Sequence, residues 1–494
     1  MARVLLIDPP WYALQNVSYN KVSYGLASCA AVLRNNRHEC ILYNGEFGLV
    51  AEDHFKQDVI TNFGLYLSNL EENSPIWKKT WHTIRTIIGD FKPDIVGITM
   101  PTAKYAIVVK ITNHIKNEFS QVIIVAGGPH PTILPLETLK ESSIDVVVKH
   151  EGELTFLELV NAIEKKSALE NVAGIAFKCN GAIRENQNRP YIQDLDSLPF
   201  PAWDCTYQGT QHPPDSFGIL FTSRGCPYQC TYCASNKIWS RKTRFMSADR
   251  VLAELIYTAQ RFKASTYRIA DDTFILDKNR VMEICEKIKN AQLTIQWMCD
   301  IRADLCTPEI LQTMKSAGCF RVNIGVESGN PEILNYIKKN ITPKQVRRAF
   351  AMVKKAKLES LAYFMIGFPN ETLKQVHDTT KLMYKLKSDF SCFCIVTPYP
   401  GTELYDYASC NGILPSTGEW SNFFHHSPKM GLTKNIAYDT LIQIIKKIQV
   451  KLDSDKEKNY RRKVFKRRIG LLVSNPMEFV ARLWHKAWAF LKPR

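Results

Sequence analysis

Gly225-Cys226-Pro227-Tyr228-Gln229-Cys230-Thr231-Tyr232-Cys233 sets three thiols at the spacing C-x3-C-x2-C directly after the apolar run Ile219-Leu220-Phe221. Thiols this close can face one small centre. Cysteine thiolates hold iron–sulfur clusters, and three of them on a four-iron cubane leave the fourth iron open to a small molecule. Other readings fit less well. A zinc site wants four ligands, yet no second C-x2-C or H-x3-H lies nearby and Cys205 stands alone. A disulfide framework needs an oxidising compartment, whereas Met1-Ala2-Arg3 leads straight into a strand run without a secretory leader. Chance grouping of buried thiols is the remaining alternative, since the chain has 14 cysteines.

From Phe217 the chain alternates strand runs with amphipathic helices: Phe217–Phe221, Thr266–Ile269, Thr294–Met298, Arg321–Val326, Leu361–Ile366 and Cys392–Val396. Six β/α units predict an incomplete (β/α) barrel over residues 216–405, with functional groups at the carboxyl ends of its strands. Those ends are polar: Asp271-Asp272, Asp300 and Arg302, Glu327-Ser328-Gly329, Gly367-Phe368-Pro369 and Pro398-Tyr399-Pro400-Gly401-Thr402. Carboxylates there can accept hydrogen bonds from an ammonium group or ribose hydroxyls, and a guanidinium can grip a carboxylate in bidentate fashion. Solvated strand ends and internal ion pairs are the plain alternative.

Upstream, Val4–Ile7, Ile95–Thr99 and Val122–Ala126 are strand runs separated by helical stretches, which predicts a doubly wound α/β domain over residues 1–165. Ligands of such sheets lie beyond the carboxyl ends of the strands. Here the ends read Asp8-Pro9-Pro10-Trp11, Thr99-Met100-Pro101-Thr102 and Gly127-Gly128-Pro129-His130. Residues 166–215 read as a small β element with an Asn180-Gly181 hairpin turn and a proline-rich linker. His130 is expected to cap a loop and not to bind metal.

The cysteine spacing resembles the signature of the radical S-adenosylmethionine (SAM) superfamily. The strand ends of residues 1–165, with Tyr24-Gly25-Leu26-Ala27-Ser28-Cys29 and Val147-Val148-Lys149-His150-Glu151-Gly152-Glu153, resemble the N-terminal domain of its cobalamin (B12)-binding members. The resemblance implies a Rossmann-like domain before a partial (β/α)6 barrel, and three cofactors. A [4Fe–4S] cluster would sit on Cys226, Cys230 and Cys233. SAM would meet Tyr232, Asp271, Asp272, Arg302, Glu327, Ser328 and Gly367, although Ala270-Asp271-Asp272-Thr273 departs from the Gly-Gly-Glu common in the superfamily. Cobalamin would meet Asp8, Pro9, Thr99, Gly127, Gly128, Pro129, Glu151 and Gly152. The D-x-H-x-x-G motif is absent, so a lower histidine ligand to cobalt is not expected.

The activity implied is methylation of an unactivated carbon in a small-molecule or lipid substrate, through a 5′-deoxyadenosyl radical and methylcobalamin, with flavodoxin or ferredoxin as reductant. Ring closure or oxidative rearrangement without methyl transfer is the first alternative, and a corrinoid or cluster sensor another. A methylthiotransferase would need an N-terminal cysteine trio, but only Cys29 and Cys40 precede residue 150.

Net charge is +16, and residues 451–494 hold thirteen Lys and Arg against four Asp and Glu. The core is therefore only mildly basic, which moves any nucleic-acid argument to the tail, where nucleic acid is an option against which stands the lack of an RNA-binding module after the barrel. Residues 406–494 are expected to be helical. Arg461–Arg468 is polybasic, and from Asn475-Pro476 a helix with Leu483, Trp484 and Trp488 on one face suits either packing on the barrel or an anionic membrane surface. No apolar stretch is long enough to cross a bilayer. The expected location is the cytoplasm, peripheral to the inner membrane face if the tail binds lipid.

Overall fold

The computed structural model describes residues 1–50, 61–414, 419–424, 431–452 and 454. Val4-Leu5-Leu6-Ile7 is apolar throughout because parallel strands are covered on both faces, and it forms the buried centre of β1 (Arg3–Asp8). Around it lie β2 (Glu39–Asn44), β3 (Ile95–Thr99), β4 (Ile123–Gly127) and β5 (Val146–Val148), parallel in the order β2-β1-β3-β4-β5. Helices Tyr24–Asn35, Pro75–Phe91, Tyr105–Glu118 and Gly152–Glu164 cover the sheet. The register sets Thr99 beside Gly127 and Gly127 beside Val148, so these strand ends stand abreast.

β6 (Ile175–Cys179) and β7 (Ala182–Glu185) extend the same sheet in antiparallel fashion beyond β5. Asn180 and Gly181 both have positive φ, +51° and +76°. That pair of conformations is what a two-residue turn matched to strand twist requires.

A run of short 3-10 turns leads to β8 (Ile219–Leu220). Next, β9 (Ser223–Arg224) pairs with β10 (Arg244–Phe245) as an antiparallel ribbon around the cysteine loop. The second large sheet adds β11 (Thr266–Ile269), β12 (Gln296–Ile301), β13 (Cys319–Glu327), β14 (Glu359–Ile366) and β15 (Phe390–Ile395). Its strands run parallel in the order β8-β11-β12-β13-β14-β15, and β8 and β15 form its two edges. This is the partial six-stranded barrel expected. Tyr267, Trp297, Cys299, Ile324, Phe364 and Phe393 are buried beneath the helices. The alternate positions Arg268, Asp300, Asn323 and Tyr363 share the opposite face, as the two-residue repeat demands.

Helix starts are fixed locally. In helix Pro343–Lys355, Thr342 and Gln345 form a reciprocal capping box, with proline in the first turn where a missing N–H costs nothing.

Residues 1–438 form one compact unit and 439–494 a second, of which residues 439–452 are described as helical. The polybasic run and tryptophan-bearing stretch of residues 461–494 lie outside the described residues. Among those described, no helix is long and apolar enough to cross a membrane.

Candidate active site

The cysteine loop is held from its first residue. Asp271, at the end of β11, accepts hydrogen bonds from Thr222 N (2.6 Å), Ser223 N (3.1 Å) and the hydroxyls of Thr222 (2.6 Å) and Ser223 (2.7 Å). Gly225 then turns with φ +99°, and a β-carbon there would lie 2.7 Å from Lys242 O, so only glycine fits. Further along, Cys226 N donates to Ser240 O (3.3 Å), Thr231 N to Ile337 O (3.1 Å) and Leu404 N to Thr231 O (3.1 Å). The loop is therefore stitched to the segments that follow β11, β13 and β15.

Cys226 and Cys230 are partly covered and Cys233 is exposed. Among the described residues, no three His, Cys, Asp or Glu side chains are grouped to hold a single metal ion. Three thiols on one short loop suit the wider cubane better than one zinc ion. Burial raises the partly covered Cys226 thiol above its ordinary range, so iron binding has to displace its proton.

The strand-end residues divide into two groups. Asp272 accepts from the Ser235 hydroxyl, and its charge contributes to raising both Cys226 and Cys233, which places it on the cluster side. Its own pKa is raised by burial and then by Asp300. Glu327 is also at the loop. Its Oε1 accepts from Tyr232 Oη (3.0 Å) and Lys339 Nζ (2.9 Å), and Lys339 Nζ lies 3.1 Å from the same hydroxyl. Glu327 reaches this position from a left-handed backbone (φ +62°) at a register shift between β13 and β14. A β-carbon at Gly325 would lie 2.4 Å from Glu327 Oε1. Lys339 is not among the residues expected from sequence, because Lys338-Lys339-Asn340 reads as an ordinary solvated run.

Other expected SAM contacts are occupied elsewhere. Asp271 spends its carboxylate on Thr222 and Ser223. Ser328 is fully buried, with its hydroxyl 3.0 Å from Thr379 Oγ1 and accepting from Asn330 N (3.1 Å). The Arg302 guanidinium lies 3.6 Å from the Tyr228 ring centre and donates to Asp304 (3.1 and 3.3 Å) and to Lys339 O (2.7 Å). It is a brace under the loop, with its fork already engaged.

Gly367 (φ +91°) donates its N–H to Glu371 Oε2 at 2.6 Å, and Phe368 N does so at 3.1 Å. Burial pushes the Glu371 pKa up from 4.5 to about 7. The folded protein thus holds this proton more tightly than the unfolded chain. That contribution to stability is complete below pH about 4.5 and is lost as pH rises through about 7. Glu371→Gln is expected to remove this share of the slope, measured as the difference in urea midpoint between pH 5 and pH 7.5.

A cavity of about 260 Å³ opens at the ends of β3, β4 and β5. Thr99, Gly127, Gly128, Pro129, Glu151 and Gly152 line it, as do Leu6, Gly25, Gly97, Val148, Phe156 and, from the barrel side, Phe221, Arg224 and Trp239. A β-carbon on Gly97 would meet Leu6 Cδ2 at 2.9 Å, whereas one on Gly25 would meet nothing within 4 Å and would stand in the open space. A cavity of about 150 Å³ can take benzene, so this glycine-lined, largely apolar space fits a flat bicyclic ring such as the aromatic base of cobalamin. The bulk of the cofactor would lie outside it.

Asp8 and Pro9 are not in this wall. Lys104 Nζ donates to Asp8 Oδ1 (2.6 Å) and Pro9 O (2.7 Å), and neighbouring Glu46 accepts the backbone N–H groups of Trp11, Tyr12 and Ala13. These groups fold the loop after β1 back on itself.

Glu151 lies in the wall but is paired. Arg224 donates to Glu151 Oε1 (2.8 Å) and Glu153 Oε1 (2.5 Å), while Arg244 donates to Glu151 Oε1 (2.8 Å) and Oε2 (3.0 Å). All four side chains are buried. This knot joins the start of helix Gly152–Glu164 to the ribbon that begins the cysteine loop.

A three-cysteine loop at the open end of a partial parallel barrel, beside a glycine-lined cavity of a doubly wound sheet, defines a radical enzyme with two large cofactors. Residues 220–383 match the Radical SAM superfamily model and residues 12–160 the B12 binding domain model. An uncharacterized methyltransferase of Pyrococcus horikoshii is 38% identical over 376 residues, covering 75% of this chain and 81% of that protein. The anaerobic magnesium-protoporphyrin IX monomethyl ester cyclase of Rubrivivax gelatinosus is 27% identical, covering 65% of this chain and 60% of that one. In fold, the chain is similar to the radical SAM methyltransferase TsrM of Kitasatospora setae, with TM-score 0.64 at 16% identity, covering 83% of this chain and 75% of that one. The chain belongs to the cobalamin-dependent radical SAM methyltransferase family. Its cofactors are a [4Fe–4S] cluster, SAM and cobalamin, which supply radical hydrogen abstraction and methyl transfer when bound.

Proposed function

We propose that the enzyme methylates an unactivated carbon, and that Cys226, Cys230 and Cys233 hold its cluster. Support comes above all from the three cysteines being fixed at the strand ends while the same ribbon, through Arg224, forms part of the cavity wall. Asp272 is the residue we assign to the SAM ammonium group. Glu327, fixed by Lys339 and Tyr232, accepts from the ribose hydroxyls. Asp271 and Arg302 hold the loop in place, and Ser328 and Gly367 shape the neighbouring turns. Thr99, Gly127, Gly128, Pro129 and Gly152 line the cobalamin site. The pairing of β6 with β5 favours a cobalamin-binding module of residues 1–185, a linker of 186–215, a barrel of 216–405 and a C-terminal region of 406–494.

The protein's own part in the chemistry is to bind, orient and exclude water. The substrate is a small molecule, with a lipid as our narrower choice, and flavodoxin or ferredoxin is the electron donor proposed. A cytoplasmic enzyme that touches the inner membrane face through residues 461–494 fits the polybasic sequence there. Deleting those residues should then abolish binding to anionic liposomes.

The test is anaerobic reconstitution followed by turnover with SAM carrying a deuterated methyl group. A product bearing the label is expected. An unlabelled product formed with SAM cleavage would replace methyl transfer by ring closure, the activity that the cyclase relative's name describes. Protein that binds corrinoid but cleaves no SAM would instead be a sensor.

A further inference from the structure

The turn between β5 and helix Gly152–Glu164 carries a residue with no role assigned so far. His150 has a left-handed backbone, φ +59°, which glycine adopts freely and a residue with a β-carbon adopts at a cost. Such an outlier is a pointer to function when its side chain is held in place. Here it is held. His150 Nδ1 lies 3.2 Å from Ile238 O and 3.2 Å from Tyr191 Oη, and the Tyr191 ring stands edge-on to the imidazole at 5.3 Å.

Ile238 O can only accept, so in the tautomer that bonds it Nδ1 carries the ring proton, the Tyr191 hydroxyl accepts as well, and Nε2 of the neutral ring carries the lone pair. Burial lowers the His150 pKa and favours that neutral form. His150 lines the cavity, and the hydrogen bonds its side chain makes among the described residues are both at Nδ1. The charged groups of the same wall are already spent: Glu151, Glu153 and Arg224 pair with one another. In that tautomer a residue of the cavity wall keeps an acceptor nitrogen while Ile238 O holds its other nitrogen.

We propose that His150 is a cobalamin-binding residue whose Nε2 accepts a hydrogen bond from the cofactor, either from a corrin carboxamide N–H or from a ribose hydroxyl of the nucleotide tail. This inference rests on the cobalamin site described above. The same tautomer would also serve a metal ligand, so the test separates the two roles.

Full-length protein with its cluster reconstituted is titrated with hydroxocobalamin and with cobinamide, which lacks the nucleotide. His150→Gly, which relieves the backbone, is expected to bind cobalamin about fivefold more weakly, the change for one net hydrogen bond, with iron content unchanged. His150→Asn tolerates the left-handed backbone and keeps an acceptor, and is expected to bind more tightly than His150→Gly. A matching loss with cobinamide assigns the donor to a corrin carboxamide, and no loss assigns it to the tail. Wild-type affinity in His150→Gly overturns the proposal. So does a cobalt(II) paramagnetic resonance spectrum whose nitrogen splitting changes on ¹⁵N-histidine labelling of the wild type and is absent from His150→Gly, because that makes His150 a cobalt ligand. Failure of the wild type to bind cobalamin removes the cobalamin site itself, a separate result seen before any variant is compared.

Discussion

Cys230→Ala is expected to leave the purified enzyme with little stable cluster iron and with reductive SAM cleavage more than about 100-fold below wild type. Removing a direct ligand should exceed the tenfold to hundredfold losses typical of outer-shell changes around metals. Cys230 is the middle thiol of the loop, and its flanks are fixed independently of it: Cys226 N to Ser240 O, Thr231 N to Ile337 O. The substitution therefore removes a sulfur without releasing the loop. Iron analysis, the visible spectrum and 5′-deoxyadenosine release under strictly anaerobic conditions measure the effect. Wild-type SAM cleavage by this variant would take the cluster off these cysteines, and the proposed chemistry with it.

Glu151→Gln is expected to destabilise the protein by about 3–5 kcal/mol, the usual consequence of removing one partner from a buried ion pair. Glu151 takes both Arg224 and Arg244 and also accepts Ile192 N at 2.7 Å. The glutamine retains one acceptor oxygen, but Arg224 keeps only Glu153 as a charged partner and Arg244 keeps none among the described residues, its other hydrogen bonds being to the carbonyls of Ile192 and Trp239. Because Arg224 immediately precedes Gly225-Cys226, cluster content should fall with the denaturation midpoint. Urea denaturation of wild type and variant, with iron content measured alongside, checks both. An unchanged midpoint would show that the knot contributes little and that the two sheets are held together by their apolar contacts.

Much of the site is legible in the residues alone. The six strands of the barrel can be read from sequence because each is a short apolar run with a polar end. The carboxyl boundary of the third is less accurate: β12 runs to Ile301, three residues past Met298, because the alternating Met298, Cys299 and Asp300 continue the strand beyond its apolar centre. β2 escapes such a reading, since an edge strand starting Glu39-Cys40 is covered less and its sequence shows it.

Within the site, sequence places Asp271 and Asp272 together, yet successive residues leaving a strand point to opposite sides, and only one of the pair turns to the cysteines. Lys339 shows the reverse case. It lies 107 residues from Tyr232 in the chain and within hydrogen-bond distance of it in space, which no local pattern can signal.

By itself the sequence determined the spacing of the three thiols and the alternation of most strands with helices, and hence the two-sheet plan, because thiol spacing and apolar periodicity are local properties. Only the tertiary structure decided which polar groups remain free for ligands. A buried charge or hydroxyl must find a partner wherever the fold supplies one, and Asp271, Ser328, Arg302 and Glu151 found theirs within the protein. His150, on the cavity wall, bonds within the protein through Nδ1.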